Sequence, residues 1–207
     1  MLIAQAVATF TTKSAQCAAL IASAHRFDAG GAALFPLLER EQISVAGFLN
    51  LFVSWEGFLE STFGHFMTGA PTLSGTQPVR YASPPSPEAA QKMLIGTNRY
   101  FDFANHELVR KMAELYFQNG YPFEPHLSAV ATDLADLRTM RNASAHISIT
   151  TQRALEALAQ RIFGAAQPGI ALYTMLIGVD PRSATSNTVF AEASNKLSAT
   201  AQLIAQG

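Results

Sequence analysis

Apolar residues recur along this chain at intervals of three and four, the spacing that lines one face of a helix. Leu2, Ile3, Ala6, Val7, Phe10, Cys17, Leu20, Ile21 and Ala24 trace a long first helix that ends before Gly30-Gly31. A second helix is predicted from near Glu39–Ile43 to about Met67. Its positions Phe48, Phe52, Trp55, Leu59, Phe63 and Phe66 form one aromatic-rich face, wide enough to pack on two neighbours. Glu56 lies at the edge of that face and Glu60 points further out. Over residues 69–87 the periodicity stops, and Gly69, Pro71, Gly75, Pro78, Pro84, Pro85 and Pro87 mark a long internal loop carrying Arg80-Tyr81.

Two short helices follow, about 88–95 and 105–117, the second closed by Asn119-Gly120 and Pro122. The stripe Leu127, Val130, Leu134, Leu137 predicts one helix over about 124–145, and Ser148 or Thr150 can cap the next, about 151–163. After the turn Gln167-Pro168-Gly169, Ile170–Val179 reads as a short strand or a buried segment, and Val189–Ala205 as a final amphipathic helix. The expected fold class is all-α, a helical bundle with one long Pro/Gly-rich loop and that short strand near 170–179.

Composition narrows the class. With 207 residues and 49% hydrophobic content, residues 1–207 read as a single domain, its core at about 40–165 with the N- and C-terminal helices packed on it. Only 14% of residues are charged and the net charge is -1, so there is no global basic footprint for nucleic acid. Any RNA contact must come from a local cluster. The single cysteine, Cys17, excludes an internal disulfide and reads as a small core residue in a reducing, cytoplasmic setting. No apolar run reaches the ~18 residues of a membrane span, and the apolar N-terminus lacks the basic residues of a signal peptide. The five histidines (25, 65, 106, 126 and 146) show no metal-ligand spacing, and no phosphate-binding glycine loop or nucleophile elbow is present. No cofactor and no metal are expected.

The chemistry concentrates at residues 138–146. Carried forward at about 100° per residue, the Leu127–Leu137 stripe puts Arg141 at its centre. A guanidinium there cannot shed its charge and needs a carboxylate, a phosphate or an interface. Arg138, Asn142 and His146, four residues apart, share the adjoining face. Two guanidiniums, an amide and an imidazole can together bind and work on a phosphate. The same residues also fit a structural arrangement, in which Glu56 or another carboxylate neutralises Arg141 and His146 is a satisfied core histidine.

The run Arg141-Asn142-x-x-x-His146 resembles the R-x(4–6)-H signature of the HEPN superfamily, with the Asn after the Arg that many members carry. Trp55-Glu56-Gly57-Phe58-Leu59-Glu60 is similar to a segment of the prokaryotic HEPN families related to RiboL-PSP and MAE-type proteins. Arg99-Tyr100-Phe101-Asp102 and the segment Ala113–Phe123 stand where those families have similar segments, so the resemblance spans roughly 45–165. It implies a toxin- or defence-type endoribonuclease that needs no metal and uses the ribose 2′-OH as nucleophile. In that scheme His146 is the general acid or base, Arg141 stabilises the phosphorane-like transition state, and Asn142 orients phosphate or imidazole. Arg138 and Glu56 are the supporting residues. The implied partners are RNA, a second copy meeting along the motif helix, and an antitoxin protein. The alternative is a non-catalytic HEPN helical module that binds RNA, a nucleotide or a partner protein, and a third reading is a structural helical dimer.

Overall fold

The computed structural model describes residues 2–145 and 148–207, and among these it has nine α-helices and one 3-10 turn, Gln118–Gly120. The α-helices are α1 (Leu2–Ala24), α2 (Leu37–Met67), α3 (Pro87–Ile95), α4 (His106–Tyr116), α5 (Phe123–Ala129), α6 (Ala131–Ala145), α7 (Ile149–Phe163), α8 (Leu172–Ile177) and α9 (Val189–Gln206). Among the described residues, β pairing is limited to isolated bridges. The fold is all-α. No helix there is long and apolar enough to cross a membrane.

The chain divides into two compact units. Met1–Thr12, Ser54–Leu134 and Lys196–Gly207 form the first, and Lys13–Val53 with Ala135–Asn195 the second. In the first, the C-terminal half of α2 supplies the aromatic core. Phe10 meets Trp55 edge-on at 5.9 Å between centroids, while Phe63 stacks on Phe123 at 4.8 Å and meets Phe117 edge-on at 5.3 Å. Each of these rings is at most 2% exposed, and burial contributes about 1.5–3 kcal/mol per large apolar side chain. In the second unit, Phe48, Leu51 and Phe52 of α2 are buried, as are Leu155 and Leu158 of α7 and Met175 and Leu176 of α8.

The long loop is a fitted part of the first unit. Arg80 Nη1 donates to the Met67 carbonyl at 2.9 Å, satisfying an orphan acceptor at the end of α2. Gly69 adopts φ 98° beneath that guanidinium, and a Cβ there would sit 2.9 Å from Arg80 Nη1. Tyr81 N donates to the Tyr116 carbonyl and Gln118 N to that of Val79, each at 2.9 Å, so the loop lies along the end of α4.

Two expected elements come out differently. The helix expected over 124–145 is two, α5 and α6, separated at Val130 (φ -117°, ψ 19°). Leu127 and Leu134 are buried on either side of the break, while Val130 at the break is only half-buried. The strand expected near 170–179 is instead the short helix α8, followed by one bridge, Val179 to Thr188. Met175 N donates to Ala171 O at 3.2 Å and Gly178 N to Thr174 O at 3.1 Å, so the segment satisfies its backbone internally. A run of apolar residues cannot by itself distinguish a strand from a buried helix.

Candidate functional site

Helix α6 carries Arg138, Arg141 and Asn142, and its rotation decides what each one meets. Leu134, Leu137 and Met140 are the side chains turned inward, at 3%, 3% and 2% exposed. Met140, rather than Arg141, therefore continues the apolar stripe. At 100° per residue Arg141 falls between Leu137 and Leu134 on that face, about 40° from its centre, and it is half-buried. An arginine so placed can lay its stem on apolar neighbours while its head keeps some hydration. Arg138 and Asn142, one turn apart, lie further round on the same side and are also half-buried.

Arg141 Nη1 donates to Asn142 Oδ1 at 3.4 Å, a long bond. Among the described residues no carboxylate forms an ion pair with Arg141. Because Oδ1 of Asn142 faces the guanidinium, its Nδ2 is left to donate elsewhere. Arg141 and Asn142 thus present N–H donors side by side, a set suited to an oxyanion. Asp136, 9% exposed, is ion-paired with Arg161 of α7, which ties α6 to α7.

The end of α6 is defined locally. Ser144 Oγ donates to the Arg141 carbonyl at 2.6 Å, a back-bond that competes with the helical ladder, and α6 ends at Ala145. Helix α7 starts with a capping box: Ser148 Oγ accepts from Thr151 N at 3.1 Å, and Thr151 Oγ1 accepts from Ser148 N at 3.0 Å. His146, the remaining motif residue, lies outside the described residues. Glu56 is half-buried on the part of α2 that belongs to the first unit, whereas Arg138, Arg141 and Asn142 belong to the second.

Sequence reasoning passed over a polar cleft of about 270 Å³ in the first unit, lined by Glu60, Ser61, His65, Glu88 and Gln91 among others. Gln91 Nε2 donates to Glu60, and Ser86 caps α3 by accepting from Ala89 N at 3.2 Å. Burial pushes the His65 imidazole pKa down, opposed by the nearby Glu88 carboxylate. Glu88 is itself held below the usual carboxylate value, mainly by its hydrogen bond with Ser86. The signal was Gly64, where a Cβ would stand 3.3 Å from Pro87 Cβ and would press the two helices apart. Among the described residues no three His, Cys, Asp or Glu side chains converge as metal ligands.

Comparison with known proteins finds no matching family model, no matching curated protein and no matching solved structure.

Proposed function

We propose that this chain is a HEPN-like endoribonuclease of toxin or defence type, acting on RNA as a cytoplasmic homodimer joined along the motif helix, with an antitoxin protein as a further partner. The observation that carries this reading is Arg141, a half-buried guanidinium with no carboxylate ion pair among the described residues and Asn142 bonded beside it. A buried arginine serving only structure would be neutralised. One free to meet a phosphate keeps its donors for the ligand, as bidentate phosphate binding requires. Ile149, just beyond the motif, is 74% exposed, an apolar side chain suited to an isologous contact.

In the proposed reaction the 2′-hydroxyl attacks the adjacent phosphorus and the bond to the 5′-oxygen breaks. A base removes the 2′-hydroxyl proton and an acid protonates the leaving 5′-oxygen, giving a 2′,3′-cyclic phosphate and a 5′-hydroxyl end. His146 supplies one proton transfer and the second chain's copy of the motif the other. Arg141 and Asn142 stabilise the charge that grows on the non-bridging oxygens. Arg138 and Glu56 support the motif helix.

The second reading, a non-catalytic helical module, draws on the charge pattern. The net charge is -1, and Arg110, Arg161, Arg182 and Lys196 are engaged in ion pairs, so the chain carries no overall positive charge to track a phosphate backbone. Incubating purified protein with mixed RNA in chelator separates the two. Cleavage to 2′,3′-cyclic ends is expected, reduced about 10²–10⁴-fold in His146→Ala, with Arg141→Lys only partly active. Full cleavage by His146→Ala, or cleavage of DNA, rejects the nuclease mechanism. RNA binding without cleavage selects the module.

A further inference from the structure

The second unit contains a partly open cavity of about 480 Å³ that none of the described motif residues lines. Its walls come from the C-terminal end of α1, from α8 and from the start of α9. Ile21, Leu176 and Phe190 supply apolar bulk, while Ala18, Ala22 and Ala191 are small and leave the space unfilled. The volume lies in the range of cavities that take up small organic ligands, and the lining is of the mostly apolar kind such sites use.

The polar groups around it decide the chemistry. Among the described residues no carboxylate, ammonium or guanidinium lines the cavity, so an ionised ligand would lose its hydration without compensation. His25 is spoken for: Nδ1 bonds the Ile21 carbonyl at 2.8 Å and Nε2 the Tyr173 hydroxyl at 3.2 Å, with its ring stacked on Tyr173 at 5.9 Å. It offers a ring surface and no nitrogen. Ser194 is engaged with Ser14 at 2.8 Å. Thr188 Oγ1 accepts from Ala191 N at 3.2 Å and keeps its O–H to donate. Asn195 is exposed at the open rim of the cavity, where its amide can both donate and accept. We propose that this cavity binds an uncharged, largely apolar small molecule with a single hydrogen-bonding group, which Asn195 and Thr188 receive.

The test uses the full chain and a neutral fluorescent probe, N-phenylnaphthylamine, whose amine can donate to Asn195. Saturable binding of one probe per chain is expected. The anionic analogue anilinonaphthalene sulfonate should bind at least about tenfold more weakly, a difference of about 1.4 kcal/mol. Ala22→Phe and Ala191→Phe fill the cavity and should each weaken the neutral probe by about tenfold or more. Ala22 is exposed, so its replacement leaves the helical core untouched, which circular dichroism verifies. Should one filled variant fail to fold, the other decides together with Asn195→Leu, which should weaken N-phenylnaphthylamine but not phenylnaphthalene, the hydrocarbon without an amine. Equal binding by wild type and the folded filled variant, a preference for the sulfonate, or no saturable binding at all overturns the proposal.

Discussion

A guanidinium that cannot shed its charge must be answered by something, and the answer at Arg141 sets its role. Among the described residues it is answered only by Asn142, whereas the buried carboxylate of Asp136 takes Arg161 instead. Removing a side chain with no buried ion partner should cost the fold little. Arg141→Ala is therefore expected to change the unfolding free energy by less than about 1 kcal/mol, measured by urea titration, while it removes RNA cleavage. A loss of about 3–5 kcal/mol would instead mark a broken buried charge pair and a structural arginine. Asn142 was expected to orient phosphate or imidazole, and its oxygen is committed to Arg141, which leaves the amide nitrogen for that task.

Helices here are held by what their faces bury more than by intrinsic propensity. The C-terminal half of α2 shows this most clearly, since Phe63 is in ring contact with both Phe117 and Phe123 and has no exposed surface. Phe63→Ala is expected to destabilise the protein by about 3–5 kcal/mol, the usual cost of an aromatic-to-alanine cavity. Denaturant unfolding measures it, and a cost below about 1 kcal/mol would mean that the three rings do not form one packed cluster. By contrast α8 is too short to stand alone and exists because Leu172, Tyr173, Met175 and Leu176 are buried. α5 and α6 illustrate a different point. A break at one residue ends one helix and starts the next, and the leucines on either side stay buried.

Across the whole molecule, stability should depend on pH in two separate windows. His126 and His65 both have their pKa lowered, chiefly by burial, from an unfolded value near 6.5. The unfolded chain then binds more protons, so this contribution is complete above about pH 6.5 and is lost as pH falls below it. Glu88 and Glu156 are lowered by hydrogen bonds, from Ser86 and from the Gly169 N–H respectively, so their contribution is lost only below about pH 4.5. The melting temperature should therefore fall between about pH 7 and pH 5, and His126→Gln should flatten that limb without changing the more acidic one. An unchanged upper limb would show that His126 is solvated.

Much of this organisation could be read from residue identity and spacing. Periodicity located the helices because burying one face is a local demand on every turn. Ser148 announced the start of α7 because a cap needs only its own side chain and the next turn. Arg141, Asn142 and His146 could be named as a chemical set for the same local reason. Other features depended on groups remote in sequence. An apolar stripe leaves the rotation of α6 free by some tens of degrees, and only the packed helix showed Met140 buried and Arg141 half-buried. Ile170–Val179 could have formed a strand only beside a partner strand, and without one it closed its hydrogen bonds as α8. The cavity behind Ala22 and Ala191 and the pairing of Asp136 with Arg161 join segments far apart in the chain. Spacing is a property of neighbours, but space and charge are shared among residues that only the folded chain brings together.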